Sequence, residues 1–87
     1  MVQIKFSQSS LDELTTWLTE DPKTVAKILK LVKAICKEPF KGIGKPEPLK
    51  HNLTGLWSRQ IDKANRLVYK VTKDEITIIS CKYHSSK

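Results

Sequence analysis

"GLWSRQIDKANRLVYKVTKDEITIISCKYH", residues 55–84, decides the fold. Three runs of strand-forming residues stand in it, at 55–61, 66–71 and 76–84, separated by the short polar stretches "DKAN" and "TKDE". Parallel neighbours need a crossover of a dozen residues or more, so these strands run antiparallel, one to the next. Alternation then sorts the side chains. Leu67, Tyr69 and Val71 share one face of the middle strand, and Arg66, Val68 and Lys70 share the other. In the last strand Ile79, Cys81 and Tyr83 share a face, opposite Ser80, Lys82 and His84. The apolar sets are expected against a core, which brings Arg66 and His84 together on the uncovered face. Ile76 and Ile78 fall on that uncovered face too and blur the pattern.

Upstream, "VQIKF" at 2–6 alternates apolar and polar residues and reads as a short strand. Ser10 and Glu13 have capping-box spacing, which predicts a helix starting there with Leu11, Leu14 and Leu18 as its apolar stripe and Trp17 beside them. Asp21-Pro22 interrupts it and suits the start of a second helix. Val25, Ile28, Leu29, Val32, Ile35 and Cys36 recur on one face of that helix. Lys23, Lys27, Lys30, Lys33 and Lys37 fall mostly on the other, as a solvated or a binding face. Glu38-Pro39 ends the helix, and a loop from Phe40 to about Thr54 follows, longer than most connections. The order is β-α-α-β-β-β, an α+β class with two helices packed on one face of a small antiparallel sheet. Residues 1–87 make a single domain, since a chain this short supports one thin core.

Sixteen Lys and Arg against nine Asp and Glu give a net charge of +7, which favours a polyanionic partner. Cys36 and Cys81 lie far apart and read as reduced thiols of a cytoplasmic protein. With two histidines and no cysteine pair, no metal-ligand cluster is expected, and no cofactor. The segment "MVQIKFSQSS" has no apolar run of the length of a secretion signal, and nothing approaches the ~20 apolar residues of a membrane helix.

The candidate chemistry starts at "GKPEPLKHN", residues 44–52. Lys45 and Glu47 each precede a proline, which predicts a stiff, near-polyproline II segment. The three-residue repeat of that helix would set Glu47 and Lys50 on one side, with Lys50 favouring the ionised carboxylate. Cleavage of RNA by its own 2′-hydroxyl needs a base, a cation for the crowded phosphate and an acid for the departing oxygen. Glu47, Arg66 and His84 are residues of those three types. His51 competes as the acid, with loop hydrogen bonding as its ordinary role.

"PFKGIGKPEPLKHNLTGLWSRQIDKANRLVY" followed by "CKYH" closely resembles the YoeB toxins of the RelE/ParE toxin–antitoxin superfamily. The resemblance covers the whole chain. It implies a small sheet with two helices on one side and an endoribonuclease that cuts messenger RNA in the ribosomal A site. It implies neutralisation by a YefM-type antitoxin. The family's general base falls on Glu47, its general acid on His84, its phosphate-stabilising arginine on Arg66 and a further basic residue on Lys50. Lys45, Arg59, Lys82 and Ser85 complete the expected RNA-contacting set. Related toxins end in "YHY", whereas this chain reads "YHSSK", with Ser85 in place of the last Tyr. Strand parity points Tyr83 away from His84, so Tyr83 is not expected to replace it. A second arginine after "WSR" is Gln60 here. These two departures support an alternative, a ribosome- or RNA-binding module that cuts weakly or not at all. The oligomeric state stays open, with a homodimer as one option.

Overall fold

The computed structural model describes residues 2–84. In chain order it contains β1 (Gln3–Phe6), α1 (Gln8–Glu20), α2 (Pro22–Lys37), β2 (Glu47–Pro48), a 3₁₀ turn (His51–Leu53), β3 (Leu56–Gln60), β4 (Arg66–Val71) and β5 (Glu75–Tyr83). The strands form one sheet in the order β1-β5-β4-β3-β2. β2, β3, β4 and β5 are antiparallel neighbours, as the short turns require. β1 differs from the all-antiparallel expectation. It lies parallel to β5, with Ile4 beside Ile76 and Phe6 beside Ile78. The helical hairpin between β1 and the later strands supplies the crossover that a parallel pair needs.

α1 starts earlier than the capping-box spacing suggests. Ser7 is its N-cap, accepting from the Ser10 amide at 3.1 Å. Glu13 is thereby freed from the helix end and reaches β5 instead. The residues buried on α1 are Ser10 and Trp17, while Leu11 and Leu18 stay exposed. α2 begins with Pro22 in its first turn, and the Asp21 carboxylate takes the Thr24 hydroxyl at 2.8 Å. Ile28, Leu31, Val32 and Ile35 of α2 are buried, whereas Leu29 is exposed. The core is formed by these residues with Leu67, Tyr69, Ile76, Ile78 and Cys81 from the sheet. Among the described residues the opposite face of the sheet carries no helix, and no helix is long and apolar enough to cross a membrane.

The parity of β4 is as expected, but that of β5 is not. Tyr69 pairs with Ile78 and Val68 with Ser80, so Ile79 is an extra residue; Arg66 pairs with Tyr83, so a second extra residue lies at Cys81–Lys82. Each such bulge switches the face of everything beyond it. Before the first, Ile76 and Ile78 face the helices, which removes the misfit in the simple alternation. After the second, Tyr83 stands opposite Arg66 on the open face, which corrects the expectation that it points away.

Both bulges are pinned from α1. The Ser7 hydroxyl donates to the Ile79 carbonyl at 2.8 Å. A Glu13 carboxylate oxygen accepts from the Cys81 amide at 2.8 Å and from the Ser80 hydroxyl at 3.1 Å. Trp17 donates its indole N–H to the Cys81 carbonyl at 2.8 Å. The helix thus satisfies backbone groups that the bulged ladder leaves without strand partners.

Candidate active site

The open face is built from the register. Glu47 in β2 stands opposite Ser58 in β3, Ser58 opposite Val68 in β4, and Val68 opposite Ser80 in β5. Arg66 stands opposite Gln60 on one side and Tyr83 on the other. Opposed residues share a face, so Glu47, Arg66 and Tyr83 lie on the same uncovered surface. The Arg66 side chain runs back across the sheet. Its Nε donates to the Ser58 hydroxyl at 2.8 Å, and its Nη2 donates to the Lys45 carbonyl at 3.2 Å. Nη2 lies 4.0 Å from the Glu47 carboxylate, at the outer limit of an ion pair. Nη1 makes no hydrogen bond among the described residues and is free for a ligand oxygen.

The partner of Glu47 is therefore Arg66 and not Lys50. Among the described residues no ion pair joins Glu47 to Lys50. The expected polyproline segment fails at its first residue, because Lys45 has a φ of 50°, in the left-handed region. Beyond it, Glu47-Pro48 adds to the edge of the sheet. Glu47 is thus held by strand pairing and by the fixed φ of the flanking prolines, not by a free-standing helix. Lys45 and Lys50 are exposed beside it. His51 opens the 3₁₀ turn with a φ of 61°, and its carbonyl accepts from the Thr54 hydroxyl at 2.7 Å.

His84 follows Tyr83 directly beyond the end of β5 and is exposed. The register that brings Tyr83 opposite Arg66 ends there, so strand parity does not set His84 on the face of Arg66 as the alternation had predicted, and its ring makes no hydrogen bond among the described residues. Ser85, the remaining expected contact, lies outside the described residues.

Two of the expected RNA contacts are corrected by their surroundings. Arg59 is fully buried. Its guanidinium donates to the carbonyls of Ile43 at 3.1 Å and Lys41 at 2.8 Å, to that of Glu38, and to the Tyr69 hydroxyl at 3.2 Å. Tyr69 in turn donates to the Pro39 carbonyl at 2.6 Å. Burial pushes the Tyr69 hydroxyl up from its usual pKa, against the opposing pull of Arg59. Arg59 is a clamp that fastens the loop after α2 to the sheet, and it presents no charge to solvent. The glycines at 42 and 44, both with positive φ, let the loop close on it: a Cβ at Gly44 would meet a Leu31 methyl at 2.9 Å. Lys82 lies in the second bulge, directly before Tyr83. Its ammonium pairs with Glu20 of α1 at 3.2 Å and sits 4.9 Å from the centre of the Trp17 ring. It faces α1, away from the Arg66 surface.

Three residues of the site went unread in the alternation pattern. Ser58 orients Arg66, Tyr83 stands beside it, and Glu13 holds the bulge that sets Tyr83 there. For Ser58, a small polar residue in a buried strand position is a sequence signal. For the other two there is none, because bulges leave no mark in a simple period of two. Cys81 does no chemistry: burial, helped by the Glu13 carboxylate and opposed by Lys82, pushes its thiol up to about 12.

A family model described as a YoeB-like toxin of bacterial type II toxin–antitoxin systems matches residues 6–85. Toxin YoeB of Escherichia coli K12 is 47% identical over 83 residues, covering 95% of this chain and 99% of that protein. The YoeB dimer of Staphylococcus aureus superposes with a TM-score of 0.89 at 45% identity, over 97% of this chain and 98% of that one. A heterotetrameric YoeB–YefM toxin–antitoxin complex from the same organism contains a chain with a TM-score of 0.86 at 44% identity, covering 98% of this chain and 99% of that one. The bulged β5, the proline-bound edge strand and the buried Arg59 clamp are therefore features of a toxin, and this chain belongs to the YoeB-like toxins of bacterial type II toxin–antitoxin systems.

Proposed function

We propose that this toxin is a ribosome-dependent mRNA endoribonuclease, cutting by acid–base catalysis of 2′-hydroxyl attack without a metal, and that a YefM-type antitoxin holds it in check. The observation that carries the reading is the open-face juxtaposition of Glu47 with an Arg66 whose Nε and Nη2 are anchored by Ser58 and Lys45 while Nη1 is free. Glu47 takes the 2′-hydroxyl proton. The 2′ oxygen then attacks phosphorus, and Arg66 Nη1 meets the charge that builds on the non-bridging oxygens. His84, in its protonated form, gives a proton to the 5′ oxygen as the P–O5′ bond breaks. The products are a 2′,3′-cyclic phosphate and a free 5′-hydroxyl, and no water is consumed. Anchoring Arg66 before substrate arrives avoids reorganisation in the step itself. The face is uncovered, which suits a messenger held by a large partner. Exposed Lys45 and Lys50 flank Glu47 as phosphate contacts.

Glu47→Gln should lower cleavage on programmed ribosomes by roughly 10²–10⁴-fold, the usual contribution of a general base. Thermal stability should hold, because Glu47 is exposed and its ion pair is long. Full activity in a folded Gln variant would overturn the assignment of the base. For the free toxin, a homodimer like that of the S. aureus relative is the proposed state, checked by sedimentation across a concentration series.

A further inference from the structure

The loop after α2 is fastened to the sheet at four points. Arg59 takes the carbonyls of Glu38, Lys41 and Ile43, and the Tyr69 hydroxyl takes that of Pro39. Phe40 sits inside this fastened stretch with the backbone held on both sides of it. The Pro39 carbonyl accepts at 2.6 Å and the Lys41 carbonyl at 2.8 Å. Phe40 is nonetheless 48% exposed. Its ring rests on that of Trp57 in β3, with the centroids 4.7 Å apart and the planes tilted by 50°. Trp57 is half-buried and packs against the core, so it braces the ring from the inner side. The two rings form a rigid aromatic ledge with one side open to solvent.

The ledge stands at the edge strand that carries Glu47. Ser58 is opposite Glu47 and Trp57 is opposite Pro48. Consecutive residues of one strand thus set the Glu47 carboxylate on the open face and the ledge on the helix face. Lys37 and Lys41 bracket Phe40 in the chain, and Lys50 lies just past β2. All three are exposed and, among the described residues, in no ion pair. Glu38 is the single acid of the 37–41 stretch. Covering Trp57 needs only an apolar side chain. What a ring adds is a flat π face held open among cations, the kind of surface on which a nucleobase stacks. One ring is small for a protein contact, since stable interfaces bury on the order of 1,200–2,000 Å². Because the loop is fastened before a ligand arrives, little conformational entropy is lost on stacking.

We propose that Phe40, braced by Trp57, is the stacking subsite for a messenger base next to the scissile bond. The inference rests on the endoribonuclease activity proposed above. A messenger whose 2′-hydroxyl lies at Glu47 crosses the edge of the sheet there, and the base beyond the crossing meets the ring. Lys37, Lys41 and Lys50 accompany the phosphates on either side of that base. The buried Arg59 clamp has a use in the same arrangement: it holds the ledge at a fixed place relative to the Glu47 carboxylate.

The test measures cleavage by the full-length toxin on programmed ribosomes. Phe40→Leu keeps an apolar cover on Trp57 and removes the flat face. It should lower kcat/KM about 5- to 150-fold, the range for one stacked base, with the loss mainly in KM and an unfolding temperature near that of the unsubstituted protein. Phe40→Tyr should restore kcat/KM to within about twofold, since its ring stacks as well. An abasic nucleotide is then placed on either side of the scissile bond, one position at a time. At one of the two positions it should cost the unsubstituted toxin as much as Phe40→Leu does, and the Leu variant should lose nothing further there. Fully multiplied losses at both positions overturn the inference, because the ring then meets ribosomal RNA or protein instead. Unchanged kcat/KM in Phe40→Leu, or an equal loss in the Leu and Tyr variants, overturns it while the cleavage activity stands. If the unsubstituted toxin cuts nothing, that activity fails and the inference falls with it.

Discussion

Arg59 is a buried cation with no carboxylate beside it, so its charge is balanced by dipoles alone. Three carbonyls and one hydroxyl converge on the planar fork from different directions. Only a guanidinium presents several donors in that fixed geometry. Arg59→Lys keeps the charge but can reach only part of the set, leaving buried carbonyls unsatisfied. It should cost roughly 2–4 kcal/mol, combining unsatisfied acceptors with a poorly solvated ammonium. Urea denaturation measures this, and a loss under 1 kcal/mol would show that solvent reaches the clamp. Arg66 contrasts with it at the same scale. Both arginines sit in neighbouring strands, yet Arg59 is on the helix face and Arg66 on the open one. The same residue type is thus structural in one place and available for chemistry in the other, and strand parity makes the difference.

At the scale of the element, β5 carries the consequence. An unbulged β5 would alternate through Ile76, Ile78, Ser80, Lys82 and His84 on the helix face, turning three polar or charged residues toward the core. The two bulges keep Ile76, Ile78 and Cys81 inside and return Tyr83 to the face of Arg66. Glu13 holds the second bulge through the Cys81 amide and the Ser80 hydroxyl. Glu13→Ala leaves that amide unpartnered, which should cost about 1–3 kcal/mol and let the end of the strand drift. Glu13→Gln keeps an acceptor oxygen and should recover most of both stability and cleavage. Tyr83→Phe should lower kcat about tenfold at unchanged KM and unchanged stability, the lower end of what a hydrogen bond to a charged group contributes. Single-turnover cleavage on programmed ribosomes separates these outcomes. An equal loss in Glu13→Gln and Glu13→Ala would mean that the negative charge matters, and not the bulge.

For the whole molecule, the +7 charge is distributed over the open-face rim, the loop after α2 and the solvent side of α2. Encounter with a polyanion is then electrostatically steered, and kcat/KM on ribosomes should fall as salt rises from 50 to about 200 mM, while kcat at saturation changes little. A kcat/KM insensitive to salt would argue that the ribosome recognises shape alone. The two helices, the three long strands and the antiparallel order of β3 to β5 were all legible in the sequence, and the candidate site residues were named there from their side-chain chemistry. Each rests on local physics: periodicity, turn length and the chemistry of single side chains. The run from Pro39 to Tyr69 was specific enough to indicate the family. Tertiary structure alone decided the rest. The parallel docking of β1 depends on a crossover that no local pattern encodes. The start of α1 at Ser7 depends on a partner in β5, since Ser7 caps its helix and pins Ile79 with one hydroxyl. Whether Arg59 serves RNA or the fold depended on the loop after α2 closing over it; whether Lys82 does, and whether Glu47 faces Lys50 or Arg66, depended on a bulge and on a left-handed Lys45. Both are set by contacts between residues distant in the chain, and a period counted along the sequence does not register them.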